Sequence, residues 1–202
     1  GTHGKTTVTS MISHALSKNG ISANYLIAGI PNSLQKSWNI SSSELFVIEA
    51  DEYDTCYFDK KPKFFHYNPN TLLINNIEFD HADIFDDIDD IKKQFHHLIK
   101  IIPKSGNVIY FKDDINSYEV IKKGLWCKEI SINSSSIMID FQSMNFRVDK
   151  EEFSLKNLPL LGEYNFKNYI SAILAARLDG VKIEESINSL KTFKGVLRRM
   201  DL

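Results

Sequence analysis

The sequence predicts an α/β fold: a mostly parallel sheet flanked by helices, with a phosphate-binding loop and a small antiparallel β extension. The first observation is a glycine-rich start, Gly1-Thr2-His3-Gly4-Lys5-Thr6-Thr7, that runs directly into a helical pattern. The second is an alternation of helical segments with apolar strands that end in polar clusters, as in a parallel sheet covered on both faces. The third is a change of pattern over residues 136–153, where short strand-like runs indicate a β-hairpin.

The helical pattern after the glycine-rich start spans residues 6–19. Its apolar residues recur at helical spacing, and Gly20 is a good helix stop. A short strand at residues 23–28 and a polar, turn-rich loop at residues 30–43 follow. The later elements are strands at 44–49 and 71–74, a helix at 88–101, a strand at 107–111, a helix at 115–123, a strand at 128–132, and helices at 165–178 and 183–190.

Composition limits the classes of function. The chain has 202 residues, 43% hydrophobic and 25% charged, which is typical of one globular domain. Its net charge of −2 excludes a general electrostatic attraction to nucleic acid or to an anionic membrane. No apolar run approaches the ~18 residues of a membrane span. Cys56 and Cys127 form no C-x-x-C pair, which predicts a reducing, cytoplasmic location.

The glycine-rich start has the chemistry of a phosphate site. Glycines let the backbone approach an anion, and the N–H groups at a helix start attract it. Lys5 would then contact the β- and γ-phosphates, and Thr6 would offer its hydroxyl to Mg²⁺. A glycine-rich turn with a solvated lysine is the alternative, but the helix directly after it favours the phosphate loop. Such a loop normally follows a buried strand, so we expect a piece of a longer protein.

Two further side chains are candidates for the metal. Glu49 and His81 each lie just past a predicted buried strand, and ligands of parallel sheets bind beyond the carboxyl ends of the strands. We interpret the other acidic residues as a solvated turn (Asp51, Glu52, Asp54) and as the first turn of a helix (Asp86, Asp87, Asp89, Asp90). The remaining histidines and both cysteines are interpreted as half-buried packing residues: His14, His66, His96 and His97, with Cys56 and Cys127.

Together these segments resemble the central, ATP-binding domain of the Mur ligase family, which joins amino acids or peptides to cell-wall precursors through acyl phosphates. Residues 1–7 look like the family's phosphate loop, and Glu49 looks like its magnesium glutamate. Residues 76–83 are similar to its metal-histidine segment. Residues 162–168 resemble its adenine-reading segment, although Tyr164 replaces the usual histidine.

The resemblance implies a set of roles for individual residues, with ATP and Mg²⁺ as cofactors. It assigns catalysis to Lys5, Glu49 and His81, and metal binding to Thr6, Glu49 and His81. Nucleotide binding falls to Gly1, Thr2, His3, Gly4, Lys5, Thr6, Thr7, Asn165, Asn168 and Arg199. Residues 1–202 would form the central domain without its first strand, and the UDP-binding N-terminal domain and the C-terminal domain would be its partners. Alone, such a fragment is expected to be inactive.

Within the family, the sequence looks most like the ligases that attach L-alanyl-γ-D-glutamyl-meso-diaminopimelate to UDP-N-acetylmuramate in peptidoglycan recycling. The ligases that attach L-alanine in peptidoglycan biosynthesis are the alternative. Some relatives use a carbamylated lysine; Lys92 and Lys93 are the only nearby candidates, and no spacing in the sequence supports carrying this role over to either. Two other classes stay open: a GTP-dependent switch, whose guanine-reading Asn-Lys-x-Asp is absent, and a nucleotide-binding module without catalysis.

Overall fold

The computed structural model describes residues 3–34, 36–51, 53–79, 85 and 87–197 of the chain. Five α-helices, one 3₁₀ helix and thirteen short strands make up this part. In chain order they are α1 (Lys5–Lys18), β1 (Asn24–Leu26), β2 (Ile30–Pro31), β3 (Trp38–Asn39), β4 (Phe46–Ile48), β5 (Asp54–Cys56), β6 (Asp59–Pro62), the 3₁₀ helix (Lys63–His66), β7 (Thr71–Ile74), α2 (Ile88–Lys100), β8 (Asn107–Phe111), α3 (Ile115–Lys122), β9 (Lys128–Ile132), β10 (Ile137–Asp140), β11 (Asn145–Val148), β12 (Glu151–Ser154), α4 (Glu163–Leu178), α5 (Ile183–Leu190) and β13 (Val196–Leu197).

The chain forms two compact units. One consists of Gly1–His3 and Ala50–Met138, and we call it the β7–β9 unit because its main sheet contains those strands. The other consists of Gly4–Glu49 and Ile139–Leu202, and we call it the α1 unit. The boundaries fall between His3 and Gly4, between Glu49 and Ala50, and between Met138 and Ile139.

The β7–β9 unit contains the predicted parallel sheet. Strands β7, β8 and β9 are parallel, with β8 in the centre and Leu72 opposite Val108 in the register. Helices α2 and α3 connect these strands, as the alternating pattern predicts, and their apolar residues share one core with the sheet. Asp87 caps α2 by accepting a hydrogen bond from Asp90 N at 2.9 Å. The predicted acidic first turn of this helix is therefore confirmed at Asp87, Asp89 and Asp90.

In the α1 unit, helix α1 packs against α4 and α5. The predicted apolar stripe of α1 is buried, and so are three hydroxyl side chains, Thr9, Ser10 and Ser13. Each hydroxyl donates to the carbonyl oxygen four residues earlier, at 2.7–2.9 Å, so none is left without a partner in the core. Strand β1 is central in its sheet, parallel to β4 and antiparallel to β3.

Some predicted elements were wrong or incomplete. The predicted loop at residues 30–43 contains β2 and β3, and β3 pairs with β1 through Leu26 and Trp38. The predicted turn at Asp54 is the first residue of β5, which pairs with β6. The predicted β-hairpin or small antiparallel extension at residues 136–153 is a sheet of three strands, β10–β11–β12, so the antiparallel extension is confirmed with one strand more than a hairpin has. Strands of two to four residues are too short to show a clear periodicity, and their partners come from elsewhere in the chain.

The histidines differ in burial. His14 is buried and His96 is half-buried, as expected of packing residues, but His66 and His97 are exposed. His66 Nε2 lies 2.7 Å from Asp59 Oδ2, and this hydrogen bond holds the pKa of the Asp59 carboxyl below its usual value. Of the two free cysteines, Cys127 is half-buried as expected, but the interpretation was wrong for Cys56, which is exposed. Within the described ranges, no helix has the length and apolar character needed to cross a membrane.

His14 joins α1 to the end of α5. Its Nε2 lies 3.0 Å from the Ser189 carbonyl oxygen and 3.1 Å from Thr192 Oγ1, and its ring lies against Phe193. Burial lowers the pKa of this imidazole below 6.5. The unfolded chain therefore takes up a proton at a higher pH than the folded chain does, and stability falls as the pH drops below about 6.5.

We expect the substitution His14→Gln to flatten this pH dependence, because glutamine cannot be protonated in either state. The free energy of unfolding, measured by urea titration at pH 7 and at pH 5, should fall less in the variant than in the unsubstituted protein. An equal decrease in the free energy of unfolding of the two proteins between pH 7 and pH 5 would contradict the conclusion that His14 causes this pH dependence.

Candidate functional site

Helix α1 begins immediately after a glycine with a left-handed backbone. Gly4 has φ 82°, a conformation that a residue with a Cβ rarely adopts, and the first helical hydrogen bond runs from Val8 N to Gly4 O at 2.8 Å. Among the described residues, no side chain caps α1, and its first turn contains no acidic residue. Backbone N–H groups and the half-buried Lys5 therefore lie together at the helix start, an arrangement suited to an anion.

The side chains of Thr6 and Glu49 meet at this helix start. Thr6 Oγ1 donates a hydrogen bond to Glu49 Oε2 at 2.8 Å, and the backbone N–H of Ala28 donates to Glu49 Oε1. Both carboxylate oxygens thus accept a hydrogen bond, which fixes the orientation of the half-buried carboxylate. The three groups are 43 and 21 residues apart in the sequence, so only the fold brings them together.

Parallel pairing of β1 and β4 explains why Ala28 and Glu49 are neighbours. Leu26 and Ile48 are opposite each other at the carboxyl ends of the two strands. The residues that follow each strand consequently leave the sheet at the same edge, the position at which open α/β sheets bind ligands. Glu49 is the first residue after β4, and Ala28 is the second after β1.

This pair suits a hard divalent cation. Carboxylate and hydroxyl oxygens are donors that Mg²⁺ prefers, and a magnesium ion at a nucleotide commonly takes only one or two protein ligands. No cluster of three or more His, Cys, Asp or Glu side chains that could hold a metal lies within the described residues. His81, the third predicted ligand, lies outside them, as do Gly1, Thr2 and Arg199.

His3 contacts a different segment, within the β7–β9 unit. Its backbone N–H donates to Asn76 Oδ1 at 3.1 Å, and its Nε2 lies 3.5 Å from Glu78 Oε2. Asn76 Nδ2 in turn donates to Glu78 Oε1 at 2.7 Å. Both partners lie in the polar segment after β7, so these contacts hold His3 against that segment of the β7–β9 unit.

The predicted adenine-reading segment begins α4. Gly162 precedes the helix with φ 93°, and Asn165 Nδ2 donates to the Leu161 carbonyl oxygen at 2.9 Å. Asn168 is buried, whereas the Tyr164 side chain is 70% exposed. Asn165 is half-buried, so its amide lies at the surface of this helix start.

Neither candidate for a carbamylated lysine has a suitable environment. Lys92 Nζ lies 2.7 Å from Glu119 Oε2, and Lys93 Nζ lies 2.8 Å from Asp90 Oδ1. These carboxylates raise the pKa of both ammonium groups. Because CO₂ adds to a neutral amine, the ion pairs oppose carbamylation, and Lys92 instead joins α2 to α3.

Sequence reasoning missed three contributors to these clusters. The Ala28 N–H group belongs to the backbone, so no residue type marks it in the sequence. The only signal is that Ala28 is the last residue of the strand predicted at residues 23–28. Asn76 and Glu78 were included in the metal-histidine segment, but their contacts with His3 were not foreseen. Their position directly after a buried strand is the signal that could have found them.

Known proteins match the chain over its length. The family model described as Mur ligase middle domain matches residues 1–176. All of the chain aligns, with 40% identity, to the UDP-N-acetylmuramate–L-alanyl-γ-D-glutamyl-meso-2,6-diaminoheptandioate ligase of Escherichia coli (strain K12), of which it covers 46%. It is 34% identical, again throughout, to the UDP-N-acetylmuramate–L-alanine ligase of Clostridium botulinum, of which it covers 44%.

A solved structure of a ligase is also similar to the chain. The UDP-N-acetylmuramate:L-alanyl-γ-D-glutamyl-meso-diaminopimelate ligase from Neisseria meningitides superimposes with a TM-score of 0.86 at 35% identity, over 98% of this chain and 65% of that one. The chain spans about half the length of the curated relatives it matches. Because the family model covers most of the chain and both curated relatives align to all of it, the chain belongs to the Mur ligase family, whose middle domain it contains.

Proposed function

We propose that the chain is the ATP-binding domain of an ADP-forming ligase that joins L-alanyl-γ-D-glutamyl-meso-diaminopimelate to UDP-N-acetylmuramate. The observation that carries the proposal is the contact of Thr6 and Glu49 at the start of α1, where the backbone suits a phosphate. The acceptor is proposed from the higher identity to the tripeptide ligase, 40% against 34% for the L-alanine ligase. The L-alanine ligase remains the second candidate.

In this proposal, Lys5 and the N–H groups at the start of α1 bind the β- and γ-phosphates of ATP. Thr6 and Glu49 would hold Mg²⁺, with His81 as a further proposed ligand, and the bound cation would neutralise phosphate charge. Asn165 and Asn168 are proposed to contact the adenine and Arg199 a phosphate or the ribose. His3, Gly4 and Thr7, with Gly1 and Thr2, complete the proposed nucleotide-binding set.

The reaction has two steps. An oxygen of the muramate carboxylate attacks the γ-phosphorus, the bond to the β,γ-bridging oxygen breaks, and ADP leaves. The amine of the tripeptide then attacks the acyl carbon, the bond to the phosphate oxygen breaks, and inorganic phosphate leaves as the nitrogen loses a proton. The first step brings two anions together. Lys5 reduces this repulsion with its positive charge, which a water-excluded site would strengthen.

Glu49 has a second task in this proposal. Its carboxylate is held at both oxygens, by Thr6 and by Ala28, so it does not have to be reoriented when the nucleotide arrives. Such preorganisation lowers the cost of forming the charged complex. We further propose that N- and C-terminal domains bind the UDP portion and the peptide, and that the protein acts in the cytoplasm, in agreement with its free thiols.

The acceptor is tested with the full-length protein, UDP-N-acetylmuramate and Mg-ATP. Phosphate release should be faster with the tripeptide than with L-alanine, by about 100-fold or more in kcat/KM, because the larger acceptor offers more groups to recognise. A preference for L-alanine would select the second candidate. The control omits UDP-N-acetylmuramate and should release no phosphate, and a protein that is inactive with both acceptors while binding ATP would contradict the ligase proposal.

The metal role of Glu49 is tested with Glu49→Gln, which keeps the shape of the side chain but removes its charge. We expect the Mg²⁺ concentration at half-maximal rate to rise about tenfold or more, because a charged ligand is lost. The matched control is Glu44→Gln, the same chemical change at an exposed residue of the same segment, which should leave the Mg²⁺ dependence unchanged. Identical Mg²⁺ curves for Glu49→Gln and the unsubstituted protein would exclude Glu49 as a ligand.

A further inference from the structure

Gly29 lies in the chain between Ala28 and strand β2. It follows Ala28, whose N–H donates to Glu49, and it precedes β2, which pairs with β13 through Pro31 and Val196. The φ angle of Gly29 is outside the left-handed region, so its backbone conformation is open to any residue. A glycine at this position is explained by the lack of space for a side chain.

A side chain at position 29 would meet neighbours on two sides. A Cβ atom would lie 2.7 Å from Val196 Cγ1 and 3.0 Å from Thr6 Cγ2, both too close for an ordinary carbon–carbon contact. Thr6 Cγ2 is the methyl group of the residue whose hydroxyl contacts Glu49. The Gly29 backbone is thus packed against the methyl side of Thr6.

This contact bears on the direction of the Thr6 hydroxyl. The methyl and hydroxyl of threonine share one Cβ atom, so a rotation that moves the methyl group moves the hydroxyl with it. Threonine in a helix divides between two χ1 rotamers, and a neighbour is needed to select one. Gly29 supplies that neighbour on the methyl side, while Glu49 accepts the hydrogen bond on the other.

Strand β13 holds the Gly29 segment in place. It pairs with β2, its Val196 is the second neighbour that a Cβ atom at position 29 would meet, and the neighbouring turn is fixed by hydrogen bonds from Asn32 N to Gly195 O at 3.1 Å and from Lys194 N to Ser33 Oγ at 2.7 Å. A larger residue at position 29 therefore cannot be accommodated by a simple retreat of β2.

We propose that Gly29, held beside Thr6 by the pairing of β2 with β13, is a positioning residue that fixes the Thr6 rotamer and so directs its hydroxyl towards the Mg²⁺ of the bound nucleotide. This inference rests on the proposed function. Gly29 does not touch the ligand and acts only through the Thr6 methyl group.

The test is Gly29→Ala in the full-length protein, with Mg²⁺-dependent ADP binding measured by calorimetry and the Mg²⁺ dependence of phosphate release measured alongside. We expect half-saturating Mg²⁺ to rise about tenfold, as for loss of one hydrogen bond near a charge. The rate at saturating Mg²⁺ should change little. Thr6→Ser, which keeps the hydroxyl and removes the methyl group, should raise half-saturating Mg²⁺ about threefold by freeing the rotamer.

The double variant Gly29→Ala/Thr6→Ser separates positioning from general damage. Without the methyl group the new Cβ no longer displaces residue 6 and meets only Val196, so half-saturating Mg²⁺ should fall from the level of Gly29→Ala towards that of Thr6→Ser. The matched control is Gly106→Ala in the β7–β9 unit. Gly106 directly precedes β8, and a Cβ atom there would clash with the carbonyl oxygen of Asn70. It should lower the melting temperature without changing the Mg²⁺ dependence.

Three results would overturn the inference: an unchanged Mg²⁺ dependence in Gly29→Ala, no effect of Thr6→Ser, or no recovery in the double variant. Thr6→Ser provides the test if Gly29→Ala does not fold. A failure of the proposed function is distinguishable, because the unsubstituted protein would then bind Mg-ADP but form no amide with either acceptor, while the calorimetric comparison would still decide the role of Gly29.

Discussion

The hydrogen bond between Thr6 and Glu49 connects the first turn of α1 to the end of β4. It depends on the parallel pairing of β1 and β4, which brings Glu49 and the Ala28 peptide to one edge of the sheet. It also depends on Gly4, whose left-handed backbone lets α1 begin at Lys5. A shift of register between these strands would separate the carboxylate from both of its donors.

The interior of the α1 unit supports this contact with polar as well as apolar packing. The hydroxyl groups of Thr9, Ser10 and Ser13 donate hydrogen bonds to carbonyl oxygens of their own helix. Neighbouring elements therefore do not have to provide acceptors for them. His14 then fixes the far end of the helix to the end of α5. The helix that carries Lys5 and Thr6 is in this way anchored near its C-terminal end, whereas its N-terminal end follows directly on Gly4.

The sequence predicted the parts of the fold that have a strong local pattern. The stripe of α1, the parallel strands β7, β8 and β9 and the acidic start of α2 could all be recognised, because each repeats a spacing or a residue type. Strands β2, β3 and β13 could not, because two residues have no periodicity and each pairs with a distant segment. His66 is exposed at the end of the 3₁₀ helix and contacts Asp59 of β6, and neither of these short elements is indicated by the sequence pattern.

The closeness of Gly29 to Val196 also constrains how the sequence can change over evolutionary time. Residues 29 and 196 are far apart in the chain but share one small volume, so the effect of a substitution at either depends on the residue at the other. A larger residue at position 29 needs a smaller residue at position 196 as well as space beside the Thr6 methyl group, so a change at position 29 that comes first passes through a crowded intermediate. The two positions are therefore expected to vary as a pair, with the change at position 196 coming first.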